Sequence, residues 1–251
     1  MKQPIIPQPG DMNLLELAKQ CNALYLCPKD GTVRKGPLVA YAGKDAQRRN
    51  LVGDIYFNFR QVEANPAVVF EFATAAHTKL RDQGLLDAFD TVCGIPQGGR
   101  SFGQMLALTA DKRFVYADKI PKPKEEGKKQ EYSMDLSQFE FEPGERLAVA
   151  EDVFNNFNNT DGLLAEIAGT GAEITLLVGA LNRSPVYDTL YTPKGGPFAG
   201  RNLPVIASVR QAFPEYEQDD PAVAADIAAG NLELEVKKNW TKLCAIMESN
   251  R

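Results

Sequence analysis

Glu151 and Asp152 stand at the end of a short apolar run, residues 146–150, and Asn155, Asn156, Phe157, Asn158, Asn159 and Thr160 follow closely. Two adjacent carboxylates leaving a buried strand are costly unless something meets them. Ribose hydroxyls or a hydrated Mg2+ would do so. The polar loop behind them leads into a helix expected over 161–169, and a helix N-terminus attracts phosphate. A second turn, Gly94-Ile95-Pro96-Gln97-Gly98-Gly99, links an apolar run at 89–95 to a helix expected over 101–108. Its paired glycines let the backbone come close to a ligand and aim N–H groups outward, which suits a pyrophosphate. A third segment, Asp118-Lys119-Ile120-Pro121-Lys122-Pro123-Lys124, follows a further strand at 113–117. Its lysines could neutralise a leaving pyrophosphate. Each segment also has a plainer reading. Glycine pairs commonly close strand-to-helix turns, and lysine loops are usually solvated surface.

These three segments need a scaffold that brings strand ends together. Short apolar runs at 89–95, 113–117, 146–150, 173–181 and 203–209 alternate with helical stretches. That alternation predicts a parallel sheet covered on both faces, with ligands outside the carboxyl ends of its strands. Residues 120–132 carry Pro, Lys and Glu with no apolar face and read as a mobile loop. Upstream, 13–26 has helical periodicity with Asn13 as its cap, and 37–42 and 54–59 read as strands. Asn65-Pro66 opens a helix through about 80. Beyond 212 come an acidic stretch, a helix expected over 221–229 and an amphipathic helix over 235–247, expected to pack on the main domain. The domain reading is therefore 1–65, an N-terminal helix and hood segment; 66–211, the core; and 212–251, a C-terminal helical extension.

Composition narrows the function classes. The chain has 251 residues, 44% hydrophobic and 24% charged, with a formal net charge of −5. A general nucleic-acid binder would need a basic face, so nucleic acid is not expected as a partner. No stretch approaches the roughly 18 apolar residues of a membrane span, and residues 1–11 lack the apolar core of a signal peptide. Cys21, Cys27, Cys93 and Cys244 lack the paired spacing of a zinc site and read as reduced thiols in a cytoplasmic protein. The single histidine, His77, lies in a helical stretch. No GxSxG elbow accompanies it, so it reads as structural rather than as a hydrolase base.

In their order along the chain, the glycine turn, the lysine segment and the acidic pair resemble the core of type I phosphoribosyltransferases, orotate phosphoribosyltransferase in particular. Ile95-Pro96-Gln97-Gly98-Gly99 is similar to the pyrophosphate loop, and Ala148-Val149-Ala150-Glu151-Asp152-Val153 to the motif that binds the phosphoribosyl donor. Thr170-Gly171-Ala172-Glu173-Ile174 and the hood-like Asp54-Ile55-Tyr56-Phe57-Asn58-Phe59-Arg60 fit as well. Asn182-Arg183 resembles the Asp-Arg pair whose arginine reaches the base. The resemblance covers about residues 53–183.

It implies an α/β, parallel-sheet type I phosphoribosyltransferase fold with a small N-terminal hood segment and a C-terminal helical extension. It implies transfer of a phosphoribosyl group from phosphoribosyl pyrophosphate to orotate, with Mg2+, in a homodimer. Lys119, Lys122 and Asp152 would be catalytic. Gln97, Gly98, Gly99, Lys124, Glu151, Asn155, Asn156, Asn158, Asn159, Thr160 and Arg183 would bind substrate, and Glu151 and Asp152 would hold the metal. Lys124 stands where the family often has a histidine, and Asp118 where it often has an arginine. Asn155-Asn156-Phe157 replaces the usual Thr-Thr-Gly. Phe157 lacks glycine's ease at positive φ, and weaker phosphate binding is expected. Two other readings remain: a phosphoribosyltransferase for another base, and a non-catalytic nucleotide-sensing homologue.

Overall fold

A computed structural model describes residues 13–123 and 132–250. They divide into two compact units: the chain up to Asn65 together with Ala212 onward, and Pro66–Gln211.

In the first unit, Asn13 caps α1 (Leu14–Gln20) by accepting from the Leu15 amide. The expected helix over 13–26 stops early. Asn22 takes a left-handed φ of 54°, a conformation asparagine tolerates well. Residues Leu24–Leu26 then form β1, with Tyr25 fully buried. Short hairpin strands β2 (Lys29–Asp30) and β3 (Val33–Arg34) precede β4 (Leu38–Lys44), β5 (Asn50–Gly53), β6 (Ile55–Phe57) and α2 (Phe59–Glu63). Strand β6 pairs antiparallel with β1, and β5 with β4.

The second unit begins with α3 (Pro66–Asp82), followed by β7 (Thr91–Gly94), α4 (Gly98–Ala110), β8 (Arg113–Tyr116), β9 (Asp118–Pro121) and β10 (Tyr132–Asp135). Then come β11 (Arg146–Phe154), α5 (Asn158–Ile167), β12 (Glu173–Asn182), β13 (Leu190–Tyr191) and β14 (Leu203–Arg210). The six-stranded sheet runs β13-β14-β12-β11-β7-β8. All neighbours are parallel except β13 and β14. Its middle strands are buried along most of their length, as both-face coverage requires. From β7 the chain steps to β8 on one side and returns to β11 on the other. The order therefore reverses between β7 and β11, and the crevice at their carboxyl ends is where ligands bind in open α/β sheets.

After β14 the chain rejoins the first unit. Here α6 (Ala224–Ala228), β15 (Leu232–Glu233) and α7 (Trp240–Ser249) follow, and β15 pairs parallel with β4. Trp240, Leu243 and Met247 of α7 share an apolar cluster with Tyr25, Val39 and Tyr41. The Trp240 indole N–H donates to the Asn22 carbonyl at 2.9 Å. The tail thus packs with the N-terminal residues, where its apolar stripe finds Tyr25 and Val39. Its helices are shorter than the sequence pattern indicates.

Candidate active site

The turn after β7 and the end of β11 are pressed together at the reversal point. The Ile95 amide donates to the Ala150 carbonyl at 2.8 Å, and Gly94 is in register with Ala150. Gly98 and Gly99 are required by that approach. A Cβ on Gly99 would lie 2.4 Å from the Ala150 carbonyl oxygen, and one on Gly98 would lie 2.2 Å from Asp152 Oδ2. The Pro96–Gln97 peptide is cis, Gln97 is exposed, and α4 starts at Gly98. A helix N-terminus, a glycine pair and two carboxylates therefore share one corner.

Glu151 is buried, with 6% exposure, and Asp152 is half-buried. Strand β11 does not stop at them, contrary to the sequence reading. It continues to Phe154, with Val153 opposite Leu181 and Phe154 opposite Asn182. Apolar residues beyond the acids, paired with a long β12, carry the ladder on. The expected loop over 153–160 shrinks to Asn155, Asn156 and Phe157. Asn158, Asn159 and Thr160 form the first turn of α5, where N–H groups lack partners within the helix. Asn155 is half-buried, Asn156, Asn158 and Asn159 are exposed, and Thr160 is buried. The Asn158 amide donates to Asn156 Oδ1, and Asn159 Nδ2 to Glu151 Oε1 at 3.5 Å.

Phe157 precedes α5 with φ 61° and ψ 13°, the left-handed conformation that its glycine counterpart would adopt freely. It is nonetheless 3% exposed. Its ring stacks on Phe154 at 4.7 Å and on Tyr191 at 4.3 Å, and meets Tyr187 edge-on at 5.2 Å. Burying an aromatic ring against three others outweighs roughly 1–2 kcal/mol of backbone strain. Gly179 of β12 makes room, since a Cβ there would fall 2.6 Å from the Phe154 ring. Tyr191 also donates from its hydroxyl to Asp161 Oδ1 at 2.6 Å. That bond, and more so burial, pushes the tyrosine hydroxyl's pKa up. It turns Asp161, whose charge would oppose a phosphate at this turn, toward the aromatic cluster.

The lysine segment is not a bare loop. Strands β9 and β10 pair antiparallel, Lys119 opposite Met134, into a flap. Lys124 lies outside the described residues. Lys119 and Lys122 line a cleft of about 410 Å3 together with Asn158, Asn159, Gly162 and Glu166. At the flap's root, Arg100 donates to Asp118 and to the Ala117 carbonyl. Arg100 holds the Asp118 carboxyl below its usual range.

Arg183, 6% exposed, follows β12, and its amide donates to the Phe154 carbonyl at 2.9 Å. Asn182, resembling an acidic residue at sequence level, is a turn organiser. Its Nδ2 donates to the carbonyls of Tyr187 and Asp188, and its Oδ1 accepts from the Ser184 amide. Arg210 braces the same turn through the Asn182 and Ser184 carbonyls. The four cysteines are free, and burial pushes the Cys93 thiol up to about 12, so it stays neutral. His77 is half-buried on α3.

Arg100, Tyr187, Tyr191 and Arg210 were missed in the sequence. Arg100 alone had a local signal, since it directly follows the glycine pair. The others act across long sequence separations that no local pattern encodes.

No family model and no curated protein matches the chain. Solved structures do. UMP synthase of Leishmania donovani superposes with a TM-score of 0.50 at 11% identity, over 94% of this chain and 42% of that one. The α/β fold with its central, mostly parallel sheet is similar to that of type I phosphoribosyltransferase structures. Orotate phosphoribosyltransferase of Aeropyrum pernix matches with a TM-score of 0.48 at 16% identity, over 78% of this chain and 93% of that one. Adenine phosphoribosyltransferase of Trypanosoma brucei matches at 0.45 and 15%, over 81% and 82%. In this chain the glycine turn, the α5 turn and Arg183 follow sheet strands directly, and the acid pair lies near the end of β11, two residues before its last residue, Phe154. No helix among the described residues is long and apolar enough to cross a membrane.

Proposed function

We propose that the chain transfers a phosphoribosyl group from phosphoribosyl pyrophosphate to a nitrogenous base, releasing pyrophosphate. The observation that carries this reading is the corner at the sheet's reversal point, where Gly98 and Gly99 pack directly on Glu151 and Asp152. There a pyrophosphate meets backbone N–H groups while the ribose beside it meets carboxylates. The bond from the ribose anomeric carbon to the pyrophosphate oxygen breaks as the bond to the base nitrogen forms, and the proton of that ring nitrogen passes to water. Negative charge grows on the leaving oxygen, and Lys119 and Lys122 stabilise it there. Gln97 lies beside the pyrophosphate. The first turn of α5, with Asn155, Asn156, Asn158, Asn159 and Thr160 around it, takes the 5′-phosphate.

Among the described residues no three His, Cys, Asp or Glu side chains form a metal cluster. Two carboxylates alone suit Mg2+, which keeps waters and takes substrate oxygens as its other ligands. Glu151 and Asp152 would hold it, and bound there it would lower the charge on the donor. The acceptor we infer is orotate. Arg183, fixed at the end of β12, offers a guanidinium to a base that carries a carboxylate, a partner that neutral purines lack. A homodimer is part of the same reading, and light scattering in solution checks it.

Pyrophosphate release from the donor, with Mg2+ and a panel of bases, tests the proposal. Release with orotate and little with adenine or hypoxanthine is the expected result. Release with a purine alone removes the orotate assignment. The buried Phe157 favours a second reading, a nucleotide-sensing homologue without turnover. Donor binding with no release for any base would establish that one.

A further inference from the structure

Resting on the phosphoribosyl-transfer reading, we propose that Arg100 is the positioning residue that ties the flap lysines to the pyrophosphate corner.

Arg100 is the third residue of α4, directly behind Gly98 and Gly99. Its guanidinium donates to the Ala117 carbonyl at 2.6 Å and to Asp118 Oδ1. It lies 4.3 Å from the centroid of the Tyr116 ring. Asp118 opens β9, and its next neighbour is Lys119. Its other oxygen, Oδ2, accepts from Gln138 Nε2 at 2.8 Å. Gln138 follows β10, the returning arm of the flap, and Phe139 beside it meets Tyr116 edge-on at 5.2 Å. One side chain on the glycine-turn helix therefore grips the outgoing arm directly and the returning arm through Asp118.

The planar head group matters. One terminal nitrogen, Nη2, serves the carbonyl and the carboxylate while the delocalised guanidinium carbon sits over the Tyr116 ring. An ammonium could reach the two oxygens but has no planar face to place on the ring. With Arg100 in place, Lys119 leaves the root at a fixed angle. Without it, the flap is still a paired hairpin, but its direction relative to the glycine turn is free. The expected consequence falls on the transition state, where the lysines meet developing charge, and much less on donor binding, which the glycine turn and α5 provide.

The test uses the full-length protein and the base that supports pyrophosphate release. Arg100→Gln, Arg100→Lys, Asp118→Asn and the double variant Arg100→Gln/Asp118→Asn are compared by kcat, by calorimetric titration with phosphoribosyl pyrophosphate and Mg2+, and by thermal unfolding. Arg100→Gln should lower kcat at least tenfold with donor Kd within about twofold. Arg100→Lys should lose most of the same activity at unchanged Tm, which excludes mere unfolding. The double variant should be no slower than Arg100→Gln, because both changes break one connection. Full activity in Arg100→Lys and Arg100→Gln overturns the proposal. So does strict additivity in the double variant, or a loss of donor binding equal to the loss of kcat. Wild-type protein that releases pyrophosphate with no base overturns the phosphoribosyl-transfer reading and this inference with it. Normal wild-type release with any one of the preceding outcomes overturns only the role of Arg100.

Discussion

The turns that leave β7 and β11 flank one corner, yet they hold their backbones by opposite means. After β7, two glycines bring the chain so close to β11 that any side chain would collide with a carbonyl or a carboxylate. After β11, the left-handed position before α5 is filled by Phe157, whose ring is buried among Phe154, Tyr187 and Tyr191. The first turn is shaped by the absence of atoms and the second by their packing. A conformation that glycine adopts at no steric cost is here imposed on a bulky residue by its surroundings. The reward for that strain is a continuous apolar connection from the candidate phosphate turn to β13.

The largest expected effect breaks the first turn. Gly99→Ala places a methyl group 2.4 Å from the Ala150 oxygen, and backbone cannot swing aside as a side-chain end can. A loss of about 3 kcal/mol or more in chemical denaturation is expected. A loss under about 1 kcal/mol would show that the strands separate easily here.

Asp152→Asn tests the corner's chemistry rather than its packing. Turnover should fall about 100-fold, close to 2.7 kcal/mol of transition-state stabilisation, with the unfolding midpoint unchanged. A folded variant with normal turnover removes Asp152 from the site.

Phe157→Gly separates the two strategies. If glycine's freedom were what this turn needs, the variant would gain stability. Loss of the buried ring should instead destabilise by about 2 kcal/mol, net of the relieved strain. The swap of Asn155-Asn156-Phe157 to Thr-Thr-Gly should for the same reason weaken the fold, whatever its effect on phosphate. Equal denaturation midpoints for wild type and Phe157→Gly would refute the packing account.

The smallest effect concerns Tyr191→Phe, which keeps the stack and removes one hydroxyl. Losing its bond to Asp161 should lower stability by about 1 kcal/mol. Donor affinity should fall modestly as the Asp161 carboxylate turns toward the α5 turn. Adding Asp161→Asn should restore the affinity but not the stability. Unchanged affinity in Tyr191→Phe would mean that Asp161 does not face the phosphate.

Much of this was legible along the chain. Apolar runs of five to nine residues between helical stretches announce a parallel sheet because both faces of such strands must be dry. Glu151-Asp152 stand out because two adjacent acids leaving an apolar run are costly unless something meets them, whereas Gly98-Gly99 gain weight only from their order ahead of the lysines and the acids. The flap's lysines were visible too, though not its pairing. Polar, proline-containing segments give no alternation from which to read β9 and β10.

What the sequence determined by itself was the set of groups and their order: a glycine turn, two lysines, two acids, an asparagine-rich turn and an arginine, each near an apolar run. Local composition suffices for that, since strand ends and turn residues are near-neighbour properties. Only the tertiary structure decided where β11 ends, that Phe157 is core rather than phosphate loop, that Arg100 grips the flap and that the tail joins the N-terminal unit. Each of those depends on partners 17 or more residues away, such as Asp118 for Arg100 and Tyr191 for Phe157. Side-chain packing at such separations is fixed by the assembled sheet, and no stretch of chain carries it alone.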